Sequence, residues 1–498
     1  MNAGPNILMI FSDQHAQRVA GAYGDPYAQT PNIDALAALG VVFDNCYAPS
    51  PVCTASRMSM LTARHPYRQQ VWTNDDMLAS NLPTHAHALG AAGYRTILIG
   101  RLHALGPDQY HGYLERHVGD HSPNWPGISR HNMGVLAGAN DPTRASLQRS
   151  GAGESAYDLL DEATTSAAIS RLADIATARK NGDSQPFAMT VGFMLPHAPY
   201  VADEADYKRF LDILPPPRIP ADNEETEHPW LAKWRNNRDI RNVSPDEIKR
   251  ARAAYYALTY RLDARIGEVI KALDDNGLRE NTLIIYTSDH GDQLGERGHW
   301  WKHTFYDDSV KVPLIVAGDA IKGATGRRDQ LVDLMDVSAS LCDLAGAPAL
   351  PGADGRSFAP LLNNPDAPWH NRVFSEYCMD AAPAWSDGEA VQHRMLRDGD
   401  WKLNYYHGYP SQLFNLAVDP DELRDLASDP AHSEKLQSML KILLSNWDPE
   451  AIATLLRDRI SEKILIADWA KQTQPDDVIR WPLKAEQNRL NGNRHETD

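Results

Sequence analysis

Cys53 lies in Pro51-Val52-Cys53-Thr54-Ala55-Ser56-Arg57, a proline-containing loop that runs into the helical pattern Met58-Ser59-Met60-Leu61-Thr62. A cysteine at a helix N-terminus meets unpaired backbone N–H groups and the positive end of the macrodipole. Both favour a thiolate, a bound oxyanion or a developing negative charge. Arg57, one turn further on, faces the same side and can hold an anion. Asp13 and Asp289 end two well-separated apolar runs, each followed by a further potential ligand, Gln14 and His290. That donor set suits one divalent cation. Taken singly, a strand-end aspartate caps a turn and a cysteine fills a core. Sharing one predicted edge, they point to a metal-assisted anion site.

The chemistry needs a frame that gathers these positions. Apolar runs rich in β-branched or aromatic residues recur at Asn6–Phe11, Arg95–Gly100, Phe187–Phe193, Thr282–Thr287 and Val312–Ala317, and read as buried strands. Between them, Ile33–Leu39, Ala156–Ala178 and Ala251–Leu273 carry helical periodicity, with Pro31-Asn32 opening the first and Asn276-Gly277 closing the last. The alternation predicts a parallel sheet, whose chemistry lies beyond the carboxyl ends of the strands. Asp13-Gln14, Arg101 with His103, His197, and Asp289-His290 all fall at that edge. The two histidines are the general acid–base candidates.

At 498 residues the chain has room for a large α/β catalytic domain, placed at residues 1–368. After Pro351–Ser357 and Pro365–Trp369, short runs at Arg372–Tyr377, Arg394–Leu396 and Trp401–Tyr406 predict a small antiparallel domain over 369–446. The stretch 447–498, with a helix over Glu450–Lys463, is too small to form its own core and reads as a tail that wraps the body or a neighbouring subunit. Acidic residues outnumber basic ones by 66 to 49, for a formal charge of -17, and no basic run could grip a polyanion; nucleic acid is excluded as a partner. An acidic surface repels anionic substrates, so an anion site needs its own cluster of cations. The four cysteines, Cys46, Cys53, Cys342 and Cys378, are too few and scattered for a disulfide framework, which fits a reducing compartment. The short apolar run Ile7–Phe11 is neither signal peptide nor membrane span, and the chain reads as cytoplasmic.

Cys53-Thr54-Ala55-Ser56-Arg57, Asp13, Gly100-Arg101-Leu102-His103, Pro196-His197 and Ser288-Asp289-His290-Gly291 through Lys302 resemble, in order and spacing, the sulfatase branch of the alkaline phosphatase superfamily. The likeness runs from about Pro5 to Pro313 and implies that family's fold: a mostly parallel sheet flanked by helices, with a smaller C-terminal antiparallel sheet. It implies that a maturing enzyme oxidises Cys53 to formylglycine, whose hydrate attacks sulfur with one hydroxyl and keeps another to expel sulfate. By the same resemblance, Asp13, Gln14, Asp289, His290 and residue 53 hold calcium or manganese. Arg57, Arg101 and Lys302 then offset the charge of the transferring group, and His103 and His197 serve the nucleophile or leaving group. Ala55 stands where the signature more often has proline, and Arg101 where many relatives have lysine. Gln14 and His290 replace the commoner Asp and Asn, which admits manganese beside calcium.

Within the family, Gly106-Pro107-Asp108-Gln109-Tyr110-His111-Gly112, His131-Asn132-Met133, Ser375-Glu376-Tyr377-Cys378 and Trp447-Asp448-Pro449 resemble choline sulfatases and their bacterial relatives. This implies that Asn74 contacts the sulfate, that Trp125, His131 and Glu376 line the leaving-group pocket, and that the tail builds a homo-oligomer, a dimer or tetramer. The substrate is then choline sulfate or another alkyl, aryl or sugar sulfate. Two other functions fit the residues: a phosphonate monoester or phosphodiester hydrolase on the same scaffold, and an inactive binding protein with Cys53 left as a thiol.

Overall fold

The computed structural model describes residues 4–128, 132–221, 227–321, 323–380 and 388–491. Its centre is a nine-stranded sheet. Across it, the strands run Gly326–Asp333, Val41–Tyr47, Leu314–Ala317, Thr282–Ser288, Asn6–Asp13, Phe187–Pro196, Arg95–Gly100 and Glu115–His117, and Lys311–Val312 pairs with Val41–Tyr47 off this path. The Asn6–Asp13 strand is buried at every residue and pairs in parallel with Phe187–Pro196 on one side and Thr282–Ser288 on the other. A strand covered on both faces must be apolar throughout, which is why Ile7–Phe11 is a continuous run rather than an alternating one.

Helices cover both faces. On one, Ala156–Lys180 and Pro245–Asp275 pack over Leu8, Ile10, Ile97, Ile99, Val191 and Ile284. The second of these starts at a capping box, in which Ser244 and Glu247 bond each other's backbone N–H, and Pro245 occupies its first turn. On the other face, Leu334–Leu344 lies over Met9, Phe11, Ile285 and Val316, joined by Met60 of the helix Cys53–Thr62.

The sheet is mostly parallel, as expected, and its antiparallel members are Leu314–Ala317 and the short Lys311–Val312. Leu314–Ala317 runs antiparallel to both neighbours, and Pro313 separates it from Lys311–Val312. Between Ser288 and Lys311 the chain forms only a one-turn 3-10 segment and the four-residue helix Asp307–Val310. It therefore stays at the carboxyl edge, and the next strand has to run back from it.

The C-terminal part holds a four-stranded antiparallel meander, Arg372–Met379, Val391–Asp398, Trp401–Tyr406 and Gln412–Asn415, with helices Ser433–Leu443 and Pro449–Asp458 packed on it through Leu396, Leu403, Met439, Leu443 and Leu456. The helix read over Glu450–Lys463 is two helices, Pro449–Asp458 and Ile460–Thr473, interrupted at Arg459. Beyond them, the chain lies along the loop Gly119–Gly127. Trp481 N–H donates to the Asp120 carbonyl, Asn124 N–H to Asp477 Oδ1, and Val478 N–H to Asn124 Oδ1. Among the described residues, no helix is long and apolar enough to cross a membrane.

Candidate active site

Cys53 opens its helix as the first residue after Val52, and its sulfur is buried. Two strand ends and the loop carrying Lys302 converge on it. Cys53 Sγ lies 3.8 Å from Asp13 Oδ1, 3.1 Å from His290 Nε2 and 3.1 Å from Lys302 Nζ. Ligand atoms of Asp13, Cys53, Asp289 and His290 all lie within 4.8 Å of one another. Two carboxylates, an imidazole nitrogen and a sulfur position that close are a donor set for one divalent cation. Burial, reinforced by Lys302, outweighs Asp289 and lowers the His290 pKa, so its imidazole is neutral and its Nε2 is free to act as a ligand.

The backbone works to reach this geometry. Gln14 sits at φ +66°, which turns the chain sharply after Asp13, and its N–H donates to Asp289 Oδ1 at 2.9 Å. His290 N–H donates to the same oxygen. Ser56 Oγ donates to the Asp289 carbonyl at 2.6 Å, tying the Cys53 helix to the strand end.

Arg57 is fully buried and bonded to both carboxylates, Nε to Asp289 Oδ2 at 2.9 Å and Nη2 to Asp13 Oδ2 at 3.1 Å. It does not line the cavity, and its ion-pair contacts are with the two aspartates. Arg101 Nε also reaches Asp13 Oδ2, at 2.5 Å, and its Nη1 pairs with Asp120 Oδ1 at 3.1 Å. Burial alone would raise the Asp13 carboxyl. The neighbouring positive groups, Arg101 foremost, outweigh it and hold Asp13 well below the usual carboxylate range.

Above the cluster opens a cavity of ≈ 170 Å³, lined by Cys53, Asn74, Arg101, His103, His197 and Lys302 at the chemical end and by Asp75, Trp125, Asn140, Asp141 and Tyr157 elsewhere. Lys302 Nζ touches Gln14 Oε1 at 2.8 Å, Cys53 Sγ at 3.1 Å and His197 Nε2 at 3.0 Å, so all three ammonium hydrogens have acceptors. His197 Nδ1 lies 2.6 Å from the Ala198 carbonyl, which assigns its proton to Nδ1 and leaves Nε2 to accept from Lys302. His103 Nδ1 faces Arg101 Nη2 at 2.9 Å, which puts its proton on Nε2, and burial with Arg101 keeps the ring neutral.

Asn74 Oδ1 accepts from Thr54 N–H at 3.2 Å, placing the amide beside the Cys53 helix. Trp125 forms cavity wall and packs edge-on against Trp469 at 4.9 Å. His131 lies outside the described residues. Glu376, given a leaving-group role by the resemblance, is not among the residues that line the cavity. Its strand points it inward, where Oε2 accepts from Tyr67 N–H at 3.1 Å and Oε1 lies 3.7 Å from Arg394 Nε. Asp120 and Asp292 escaped sequence reasoning. Asp120 lies in a loop with no strand-end signal, although its carboxylate holds both Arg101 and the His103 N–H.

With the geometry in place, comparison with known proteins decides the family. Residues 5–347 match the family model described as Sulfatase. The chain belongs to the sulfatase family. As a sulfatase it is a sulfuric ester hydrolase, and its residues 295–448 also match the model described as N-sulphoglucosamine sulphohydrolase, C-terminal. This sulfatase is 32% identical over 480 residues to the choline-sulfatase of Rhizobium meliloti (strain 1021), covering 91% of this chain and 89% of that one. It is 29% identical to arylsulfatase K of Danio rerio, covering 88% and 84%. Among solved structures, phosphonate monoester hydrolase of Agrobacterium radiobacter superposes with a TM-score of 0.70 at 23% identity, covering 89% of this chain and 95% of that one. A 2-O GAG sulfatase gives 0.67 at 23%, covering 96% and 95%. These two likenesses establish the fold.

Proposed function

We propose that this sulfatase cleaves a small organic sulfate ester, with residue 53 as formylglycine and one divalent cation, calcium or manganese, held by Asp13, Asp289 and His290 with Gln14 alongside. The observation that carries the reading is the convergence of Asp13, Asp289 and His290 with Cys53 within 4.8 Å, at the floor of a cavity whose cations are Arg101 and Lys302. A hydrated aldehyde at residue 53 would supply the attacking and sulfate-expelling hydroxyls, and a cation held by these residues would supply Lewis-acid polarisation of the sulfate.

The chain's own residues do the rest. Asn74, Arg101 and Lys302 orient and neutralise the sulfate, and the His103 Nε2–H offers a hydrogen bond to an ester oxygen. Lys302 donates to His197 Nε2, and this pair is the proton source for the leaving alcohol. The indole of Trp125 with the carboxylates of Asp75 and Asp141 favours a cationic alcohol such as choline. The buried free cysteines agree with work in a reducing, cytoplasmic setting. Helix Ile460–Thr473 buries only Ala470 and exposes Ile464, Leu465 and Trp469, which supports self-association.

The test is sulfate release from choline, aryl and sugar sulfates beside matched phosphonate monoesters and phosphodiesters, by cation-replete protein and by Cys53→Ala. Turnover of a sulfate ester that the variant loses almost entirely supports the reading. Faster cleavage of phosphonates points to the rival hydrolase. No turnover, with mass spectrometry finding a thiol at residue 53, leaves the binding protein.

A further inference from the structure

Asp292 is fully buried beside the site, and four donors surround its carboxylate. Oδ1 accepts from Leu294 N–H at 2.9 Å and Trp301 N–H at 3.1 Å. Oδ2 accepts from Gln14 Nε2 at 2.7 Å and from the Tyr200 hydroxyl at 2.6 Å. The side chain touches neither Cys53 nor the cavity, yet both of its links lead there. Trp301 is the residue before Lys302, and the far end of the Gln14 amide is its Oε1, 2.8 Å from Lys302 Nζ.

We infer that Asp292 is a positioning residue that fixes the direction of a hydrogen-bond chain running through Gln14 and Lys302 to His197 and residue 53. An amide has a donor end and an acceptor end, and its neighbours decide which way each points. Because Asp292 Oδ2 offers lone pairs, the Gln14 NH2 faces it and the Gln14 oxygen faces Lys302. The ammonium then has an acceptor, which aims its remaining hydrogens at His197 Nε2 and Cys53 Sγ. With the opposite amide orientation, an NH2 would meet the NH3+ group, and the lysine would have to turn away. Asp292 acts on both ends of the Lys302 placement, the backbone through Trp301 and the ammonium through Gln14.

This role rests on Lys302 and residue 53 doing the chemistry proposed above, and the test separates the two. In Asp292→Asn the backbone donors Leu294 and Trp301 require the remaining oxygen at the Oδ1 position. The new NH2 therefore falls opposite the Gln14 NH2, and the chain is broken. Adding Gln14→Glu restores a donor–acceptor match, since the new amide at position 292 donates to one carboxylate oxygen and Lys302 to the other, while the Tyr200 hydroxyl can accept. Turnover of an aryl sulfate, cation content and melting temperature are measured for the parent, Asp292→Asn and the double variant.

The expected result is a kcat loss of roughly 10- to 100-fold in Asp292→Asn, with KM little changed. The double variant recovers most of that loss, and its melting temperature returns toward the parent's. Parental kcat in Asp292→Asn, or a double variant no better than the single in either turnover or melting, overturns the inference. So does failure of both variants to fold, which would make the carboxylate a requirement of the fold alone. A parent inactive on sulfate esters overturns the functional reading instead, and the melting temperatures still report on the pairing.

Discussion

Around residue 53, positive side chains divide their tasks. Arg57 holds two carboxylates at once, with its guanidinium 4.5 Å from the Phe11 ring centroid, whereas Lys302 is the ammonium that reaches the sulfur. The rigid planar fork fixes both aspartates in one geometry through separate nitrogens, which a single rotatable ammonium does not reproduce. Arg57→Lys should therefore loosen Asp13 and Asp289, lowering cation affinity and turnover by on the order of 10- to 100-fold; cation titration and initial rates measure this. Glu376 answers to different physics. Burial pushes its carboxyl up to about 7, against the opposing pull of Arg394. In the unfolded chain it titrates near ~4.3, so between those values the folded state binds the extra proton. Its contribution is complete below about pH 4 and is lost as the pH rises through about 7. Glu376→Gln, neutral at every pH, should gain on the parent in melting temperature from pH 5 to pH 8, by at most ~1.4 kcal/mol per pH unit. A constant difference would refute that account.

The strand that delivers His197 is held by a helix on the sheet face. Asp161, within Ala156–Lys180, accepts from Met194 N–H at 2.7 Å and Leu195 N–H at 2.9 Å, just before His197. Asp161→Asn turns one acceptor into a donor facing an N–H group, which displaces the turn. Such a shift should lower kcat by up to ~10²-fold with the cation still bound, as steady-state rates and cation content would show. At this scale the sequence was informative where one signal sufficed. The fully buried strands declared themselves as apolar runs, and their ends named Asp13, Arg101, His103, His197 and Asp289. Val41–Tyr47 and Gly326–Asp333 were missed because Asp44-Asn45 and Arg327-Arg328-Asp329-Gln330 break the apolar pattern at the sheet margin. The reversed direction of Leu314–Ala317 depends on the absence of a crossover helix, which periodicity in the strand itself does not record. The leaving-group role of Glu376 came from the resemblance alone, because period-2 alternation does not show what lies against each face of a strand. Asp120 and Asp292 act through another side chain, and a residue whose partner is distant in sequence leaves no local mark.

Across the whole molecule, the two buried aspartates of the site are balanced by arginines, and a cation bound only by the folded state adds stability by mass action. Chelation should lower the melting temperature, and calcium or manganese should restore it in a concentration-dependent way; Asp289→Ala should abolish the response. A melting temperature indifferent to both ions would remove the cation from the site. The outer wall of the cavity has a different dependence. Asn124 bonds Asp477 across a sequence separation of 353 residues, and Arg480 Nε donates to the His121 carbonyl of the same loop. That loop, held from one side by Asp120 on Arg101 and His103, therefore gains its second set of anchors only after residues 477–480 have been translated. Residue 53 is translated long before its enclosure is finished, and any chain stopped short of Asp477 would carry the reactive groups behind a door fastened on one side only.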